Sequence, residues 1–289
     1  MQIERLKVFV DVAEFMSFTK AAEHSYISQS AVSQSIKALE KKLDQVLFIR
    51  STKKVQLTPE GEILLRHIEP AINLIKRGES QIMETASTGG QIRIGASDTI
   101  CRYFLVPYLE RFHKAFPNAH IKVTNATSIK CTELLENGQV DLIVANYPNV
   151  YLGSLASFRK IRDFHDVFIA NQSFAELQGK KLSLKELQRY PIIMLDRKST
   201  TSEFLHSLFQ QHQLDLVPEI ELTSNDLLID LARIGLGIAF IPNFCLSEQT
   251  CDLFAVQTEE ELPERELVIA YNEQVLTSKA AKEFLSFFD

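Results

Sequence analysis

The sequence predicts an α/β protein. A small helical head is joined by one long helix to a larger body of alternating strands and helices, folded as two lobes. Three observations carry this. Two short helices and a basic run occupy the first sixty residues, an amphipathic pattern then extends to about Ala86, and from Gln91 onward apolar runs of strand length alternate with amphipathic stretches. At 289 residues the chain has room for two domains and a connector, and its 45% hydrophobic and 24% charged content is ordinary for a globular protein. No apolar run reaches the length of a bilayer span, and Met1-Gln2-Ile3-Glu4-Arg5 lacks the basic-then-apolar plan of a signal peptide. A cytoplasmic protein with no membrane partner is expected.

In the head, the first helix is expected over Ile3–Ala13, with Leu6, Phe9, Val10 and Ala13 on one apolar stripe. Ser17 is placed to cap the second helix and Ser28 the third. In the third helix Val32, Ile36, Leu39 and Leu43 recur at helical spacing and face inward, while Ser28, Gln29, Ser30, Ser33, Gln34 and Lys37 cover the other side. A helix that needs only solubility carries Glu and Lys there. Ser and Gln can instead donate to and accept from base edges in a major groove, so the pattern is that of the recognition helix of a helix-turn-helix. Gln29, Ser30, Ser33 and Gln34 are the candidates for base readout. Ser28, Lys37, Arg50, Lys53 and Lys54 are the candidates for phosphate, the last three from a wing after Leu47-Phe48-Ile49-Arg50. The competing reading is a plain solvated face, and paired lysines also decorate ordinary turns. Asp44 stands where a helix end favours Gly or Asn, which predicts some strain. Residues 1–57 hold nine Lys/Arg against six Asp/Glu and the rest of the chain 22 against 31, a basic head on an acidic body.

The connector opens with Thr58-Pro59-Glu60-Gly61: a cap, a proline at the first helical position and an acid in the first turn. It reads as one unbroken helix ending at Ser87-Thr88-Gly89-Gly90. Leu64, Ile68, Ala71 or Ile72, Ile75, Ile82 and Met83 form a thin stripe, expected to be a dimer seam, with packing on its own domain as the alternative. In the body, strands are expected at 91–96, 121–123, 140–145, 166–170, 191–195, 220–222, 237–242 and 266–271. Helices are expected at 105–116, 131–137, 202–211, 227–234 and 278–288. The βαβαβ order at the start implies a parallel sheet, and two such lobes imply a ligand cleft at the strand ends. Domains are therefore drawn at 1–58, 59–88 and 89–289. Lobe I spans 91–160 and 267–289, and lobe II 161–266.

Two hydroxyl-rich helix starts should face that cleft. One is Ser97-Asp98-Thr99, and the other is Ser199-Thr200-Thr201 just after Arg197-Lys198. They suit a small carboxylate or similar polar metabolite. Asp98 repels an anion, so it either points away or grips an ammonium group on an amino-acid-like ligand. For each residue alone, simple helix capping explains Ser or Thr equally well. Cys101, Cys131, Cys245 and Cys251 show no metal-ligand spacing and are expected to be reduced, with a redox switch the minor alternative. No nucleophile, base and oxyanion set appears, so neither an enzyme nor a cofactor is expected.

At this point the residues resemble the LysR-type transcriptional regulators over essentially the whole chain. The head matches at Phe9, Ser17-Phe18, Ala21-Ala22, Ser28 to Ser33, Ile36, Leu39-Glu40, Leu43, Leu47-Phe48, Arg50 and Leu57 to Gly61. The body matches more loosely, at Ile94-Gly95-Ala96, Pro107, Phe112, Pro117, Gly138, Val140-Asp141-Leu142 and Gly235 to Pro242. The family pattern has Leu at Ser25 and Gly at Asp44. The resemblance implies a winged helix-turn-helix, a dimerising linker helix and an effector domain similar to periplasmic solute-binding proteins. It adds Thr127-Ser128 to the pocket. It further implies homodimers that pair into tetramers, binding to double-stranded promoter DNA, a small-molecule effector and contact with RNA polymerase. The rival is an importer's solute-binding protein, which would carry a secretion signal and no DNA-binding head.

Overall fold

The computed structural model describes residues 3–50, 54–83, 90–153, 157–246, 252–273 and 278–288, in two compact units. The first contains α1 (Ile3–Phe15), α2 (Phe18–His24), α3 (Gln29–Leu43), β1 (Phe48–Arg50), β2 (Val55–Leu57) and α4 (Pro59–Met83). Phe9, Val12, Ala21, Val32 and Ile36 are wholly buried, and the Phe48 ring meets Phe9 and Phe18 at 5.4 and 5.8 Å. Both expected caps form: Ser17 accepts from the Lys20 amide at 3.3 Å and Ser28 from the Ala31 amide at 3.2 Å. β1 and β2 pair antiparallel from Phe48–Leu57 to Arg50–Val55 and make the wing. Lys53 lies outside the described residues.

Three details of the head bear on what was expected of it. Leu43 is 38% exposed at the helix end, so the inward stripe of α3 stops at Leu39. Asp44 does adopt the left-handed conformation, at φ 52°. Ser25, where the family pattern has Leu, is no defect: its hydroxyl donates to the carboxylate of buried Asp11, which also lies 3.4 Å from His24 Nδ1. A buried carboxylate needs such partners, and leucine would remove one of the two.

The long helix also differs. It contains Pro70, eleven residues in, yet continues to Met83; of the expected stop, Ser87, Thr88 and Gly89 lie outside the described residues. Leu64, Leu65 and Ile68 pack on the head core and Ile72 is buried in it, so half of the expected seam belongs to its own domain. Among the described residues of α4, the exposed large apolar side chains are Ile63, Leu74 and Ile82. Gly61 is required by contact: a Cβ there would sit 2.3 Å from the Leu47 carbonyl oxygen.

The second unit is two-lobed. Its elements are β3 (Gln91–Ala96), α5 (Asp98–Ile100) running through a π-helical turn (Cys101–Leu105) into α6 (Val106–Ala115), β4 (His120–Asn125), α7 (Ser128–Glu136), β5 (Leu142–Tyr147) and β6 (Ser157–Phe164). They continue with β7 (Asp166–Ala170), β8 (Lys181–Leu182), α8 (Leu184–Leu187), β9 (Ile192–Leu195), α9 (Thr200–Gln211), β10 (Ile220–Leu222), α10 (Asn225–Arg233), β11 (Ile238–Pro242), β12 (Phe254–Thr258), β13 (Arg265–Tyr271) and α11 (Lys279–Ser286). One sheet has the order β4-β3-β5-β13-β6 and the other β10-β9-β11-β7-β12-β8. β3 runs parallel to β4 and β5, but β13 lies antiparallel between β5 and β6, so the sheet is mixed rather than all parallel. The unforeseen strand β6 moves the crossings between sheets to residue 165 and to just before Arg265, in place of 160/161 and 266/267. The helix expected from Leu105 starts at Asp98, because Ser97 caps it by accepting from the Ile100 amide at 3.3 Å.

Candidate DNA-facing surface and interlobe cleft

The head presents α3 as expected. Gln29, Ser30, Gln34 and Lys37 are exposed and Ser33 half-buried, opposite the buried Val32, Ile36 and Leu39. The Ser28 oxygen serves as the helix cap and lies 2.9 Å from the Ser30 hydroxyl, so it is partly committed to structure. On the wing, the Arg50 guanidinium lies over the Phe18 ring at 4.2 Å and 3.9 Å from Glu40, which itself accepts from the Leu47 amide at 2.9 Å. Lys54 is exposed at the start of β2. A surface hollow joins Gln29 and Lys54 to Thr19 and Gln56, two polar residues the sequence reading missed. Only knowledge of where the wing folds back could have drawn them in.

Between the lobes lies a cavity of about 290 Å³. Four chain segments that begin helices wall it: Ser97 to Ile100, Thr127-Ser128, Ser199 to Thr201 and Ser224-Asn225. Of the nine expected effector residues, Ser97, Asp98, Thr99, Thr127, Ser128, Ser199, Thr200 and Thr201 line it. Arg197 does not. It is exposed on another surface beside Glu203, His206 and Asp215, because the turn before α9 directs residues 199–201 inward and 197–198 out.

The hydrogen bonds divide these hydroxyls into caps and candidates. Ser97, Thr127 and Ser199 accept from the amides of Ile100, Lys130 and Ser202, at 3.3, 3.3 and 3.1 Å. Thr99, Ser128, Thr200 and Thr201 cap nothing. Thr99 Oγ1 accepts from Asn225 Nδ2 at 2.9 Å, Ser128 Oγ from the Asn146 amide at 3.1 Å, and Thr200 Oγ1 from Asn146 Nδ2 at 3.3 Å. Thr200 and Thr201 also accept from Arg265 Nη2 and Nη1, at 3.4 and 3.2 Å. Asn125, Asn146, Asn225 and Arg265 were absent from the sequence reading.

Arg265 opens β13 and Asp166 opens β7, one on each strand that follows a crossing between sheets. Their side chains pair at 2.6 Å with no solvent access. The guanidinium lies between the rings of Phe164 and Phe204, 5.2 and 4.9 Å from their centroids. Burial pushes the Asp166 carboxyl upward and the Arg265 charge offsets part of that. Across the cleft mouth, Tyr103 donates to Asp226 and Arg102 pairs with it at 3.2 Å. The Cys101 and Cys131 thiols are pushed up to about 11 and about 12, chiefly by burial. Both stay protonated at neutral pH, against a reactive thiolate. Cys251 lies outside the described residues.

A helix-turn-helix with a wing, followed by a two-lobed α/β domain, is the architecture of a DNA-binding transcriptional regulator. The chain matches the family model of the LysR substrate binding domain over residues 85–289 and that of the bacterial regulatory helix-turn-helix protein, lysR family, over 3–62. It belongs to the LysR family and is a LysR-type DNA-binding transcriptional regulator. Among curated relatives, the probable RuBisCO transcriptional regulator of Gracilaria tenuistipitata var. liui is 28% identical over 98% of this chain and 94% of its own. That of Guillardia theta is 28% identical over 99% and 96%. Of solved structures, a full-length OxyR variant from Pseudomonas aeruginosa superposes with a TM-score of 0.70 at 17% identity, over 100% of this chain and 94% of that one. CbnR, a LysR family transcriptional regulator, gives 0.66 at 18% identity, over 100% and 98%. Among the described residues no helix is long and apolar enough to cross a membrane.

Proposed function

We propose that the protein controls transcription in response to a small polar metabolite, anionic or amino-acid-like, held between the two lobes. The observation that carries this is the cavity itself. Hydroxyls on both lobes face it, and Thr200 and Thr201 accept from the Arg265 guanidinium, a group that only donates, which leaves their protons for a ligand. Residues 1–58 are the DNA-binding domain, 59–88 the dimerising linker and 89–289 the effector domain. Gln29, Ser30, Ser33 and Gln34 read bases, while Lys37, Arg50, Lys53 and Lys54 hold phosphates. CbnR, solved in complex with its target DNA, lends the docking mode by analogy of fold. Self-association through the exposed residues of α4, and pairing of dimers into tetramers, complete the assembly that would meet RNA polymerase.

The test couples two measurements on the full-length protein. A panel of metabolites is screened by thermal shift, where a ligand at a hundred times its Kd adds about 2.7 kcal/mol of stability. The stabilising compounds are then added to gel shifts on the DNA upstream of the gene. A ligand that binds yet alters neither the mobility nor the footprint of the DNA complex would refute effector control.

A further inference from the structure

The polarity of the cleft wall identifies its ligand more narrowly. Among the described residues that line it, the only formal charges are the carboxylates Asp98 and Asp196. The nearest buried cation, Arg265, stands behind Thr200 and Thr201 rather than on the wall, and those two threonines are 4% and 2% exposed. Thr200 Oγ1 receives two donors, Arg265 Nη2 and Asn146 Nδ2, so both of its lone pairs are taken and its proton must be given away. That corner of the cleft donates, with the cationic end of the Arg265–Asp166 pair one hydrogen bond behind it and the start of the twelve-residue helix α9 adding to the field.

Beside these threonines the wall accepts. Asn146 and Asn225 are 9% and 5% exposed, both line the cavity, and the Oδ1 of each has no partner. An orphaned buried carbonyl is costly, and a ligand donor would recover that cost. Rotating either amide exchanges donor and acceptor with its threonine and preserves one of each. A ligand that satisfies this wall must therefore carry acceptors and donors together. A dicarboxylate would set its second charge beside Asp98 with no cation on the wall to meet it. An ammonium group carries three donors and suits a wall of acceptors.

We propose that the cleft binds a small zwitterion of amino-acid type, its acid group on Thr200 and Thr201 and its ammonium group among Asn146, Asn225 and Asp98. In this arrangement Arg265 is a positioning residue: paired with Asp166, it donates to Thr200 and Thr201 and so aims their protons at the acid without touching it. The inference rests on the reading of the cleft as the effector site and narrows it.

The test uses full-length protein and three matched sets of probes: the twenty proteinogenic L-amino acids, the amines that lack their carboxylate, and the 2-oxo acids that lack their ammonium group. Thermal shift finds binders and calorimetry gives Kd. At least one amino acid should raise the melting temperature, and its amine and 2-oxo acid should each bind at least about tenfold more weakly, the factor for one lost charged hydrogen bond. Arg265→Lys and Thr201→Val should lower the affinity for the amino acid while leaving that for its amine unchanged, a ratio that a merely structural Arg265 would not move. The threonine variant leaves the Arg265–Asp166 pair in place should the arginine variant fold poorly. A 2-oxo acid that matches or exceeds every amino acid, or a panel in which no amino acid binds, overturns the zwitterion. The underlying reading fails separately, if a bound ligand keeps its Kd in both Thr99→Val and Thr200→Val.

Discussion

Replacing Asp166 by alanine strands a guanidinium. Arg265 and Asp166 meet at 2.6 Å with neither side chain reached by solvent. Without the carboxylate, Arg265 keeps two threonine hydroxyls and the faces of Phe164 and Phe204, none of which bears a full negative charge. Removing one partner of a buried ion pair costs about 3–5 kcal/mol. In a domain of this size each kcal/mol shifts the midpoint by about 2–4 °C, so the effector domain of Asp166→Ala should melt roughly 6–20 °C lower. The double variant Asp166→Leu with Arg265→Met removes both charges and should recover most of the loss, since apolar residues of similar volume replace a buried pair at little or no cost. Urea unfolding followed by tyrosine fluorescence provides the assay, there being seven tyrosines and no tryptophan. An Asp166→Ala protein with the wild-type midpoint, or a double variant no better than the single, would show that the pair does not hold the crossing strands together.

Three further outcomes are expected. Gln29→Ala should lose about 1–3 kcal/mol on the operator and relax sequence preference, whereas Lys37→Ala should weaken all DNA alike and flatten the salt dependence; equal losses on operator and scrambled DNA for Gln29→Ala would make it a backbone contact. Leu74→Glu should reduce the dimer mass in light scattering without lowering the melting of the head, while Ile68→Glu should destabilise the head itself by about 1–3 kcal/mol, and a reversal of these two effects would return the seam to the Ile68 face. Cys101, held near 11 by burial and by Asp98, should resist iodoacetamide at pH 8, with its rate climbing only as pH approaches 11; rapid labelling at neutral pH would contradict the protonated thiol.

The head was legible almost residue by residue, because capping and apolar spacing are local signals: Ser17, Ser28, Val32, Ile36 and Leu39 all stand where their spacing put them. What escaped was decided by distance along the chain. β6 is written in Arg159, Lys160, Arg162 and Asp163, a charge run on both faces that hides an edge strand paired only with β13. The apolar stripe of α4 looked like a seam because the sequence does not say that the head reaches up to cover Ile68 and Ile72. In the cleft, helix starts betrayed Thr99 and Thr200, whereas Asn146 on β5 and Arg265 on β13 carry no motif and become partners only through the sheet order. Arg197 misled by adjacency, since one turn of backbone separates residues that face in from residues that face out.

The position of β13 has a consequence for biosynthesis. Glu266 pairs with Tyr147 and with Asp163, so the strand that fills the middle of the first sheet is translated after every strand of the second. A nascent chain that has emerged as far as residue 260 can already hold a finished head, whose contacts are local, and a nearly finished second lobe. Its first lobe still displays two bare strand edges, on β5 and β6. Such edges are templates for the wrong neighbour, and long-range pairings are the slowest to form. Ribosome pausing within the second lobe should therefore prolong the interval in which the DNA-binding head is complete and the first lobe is not.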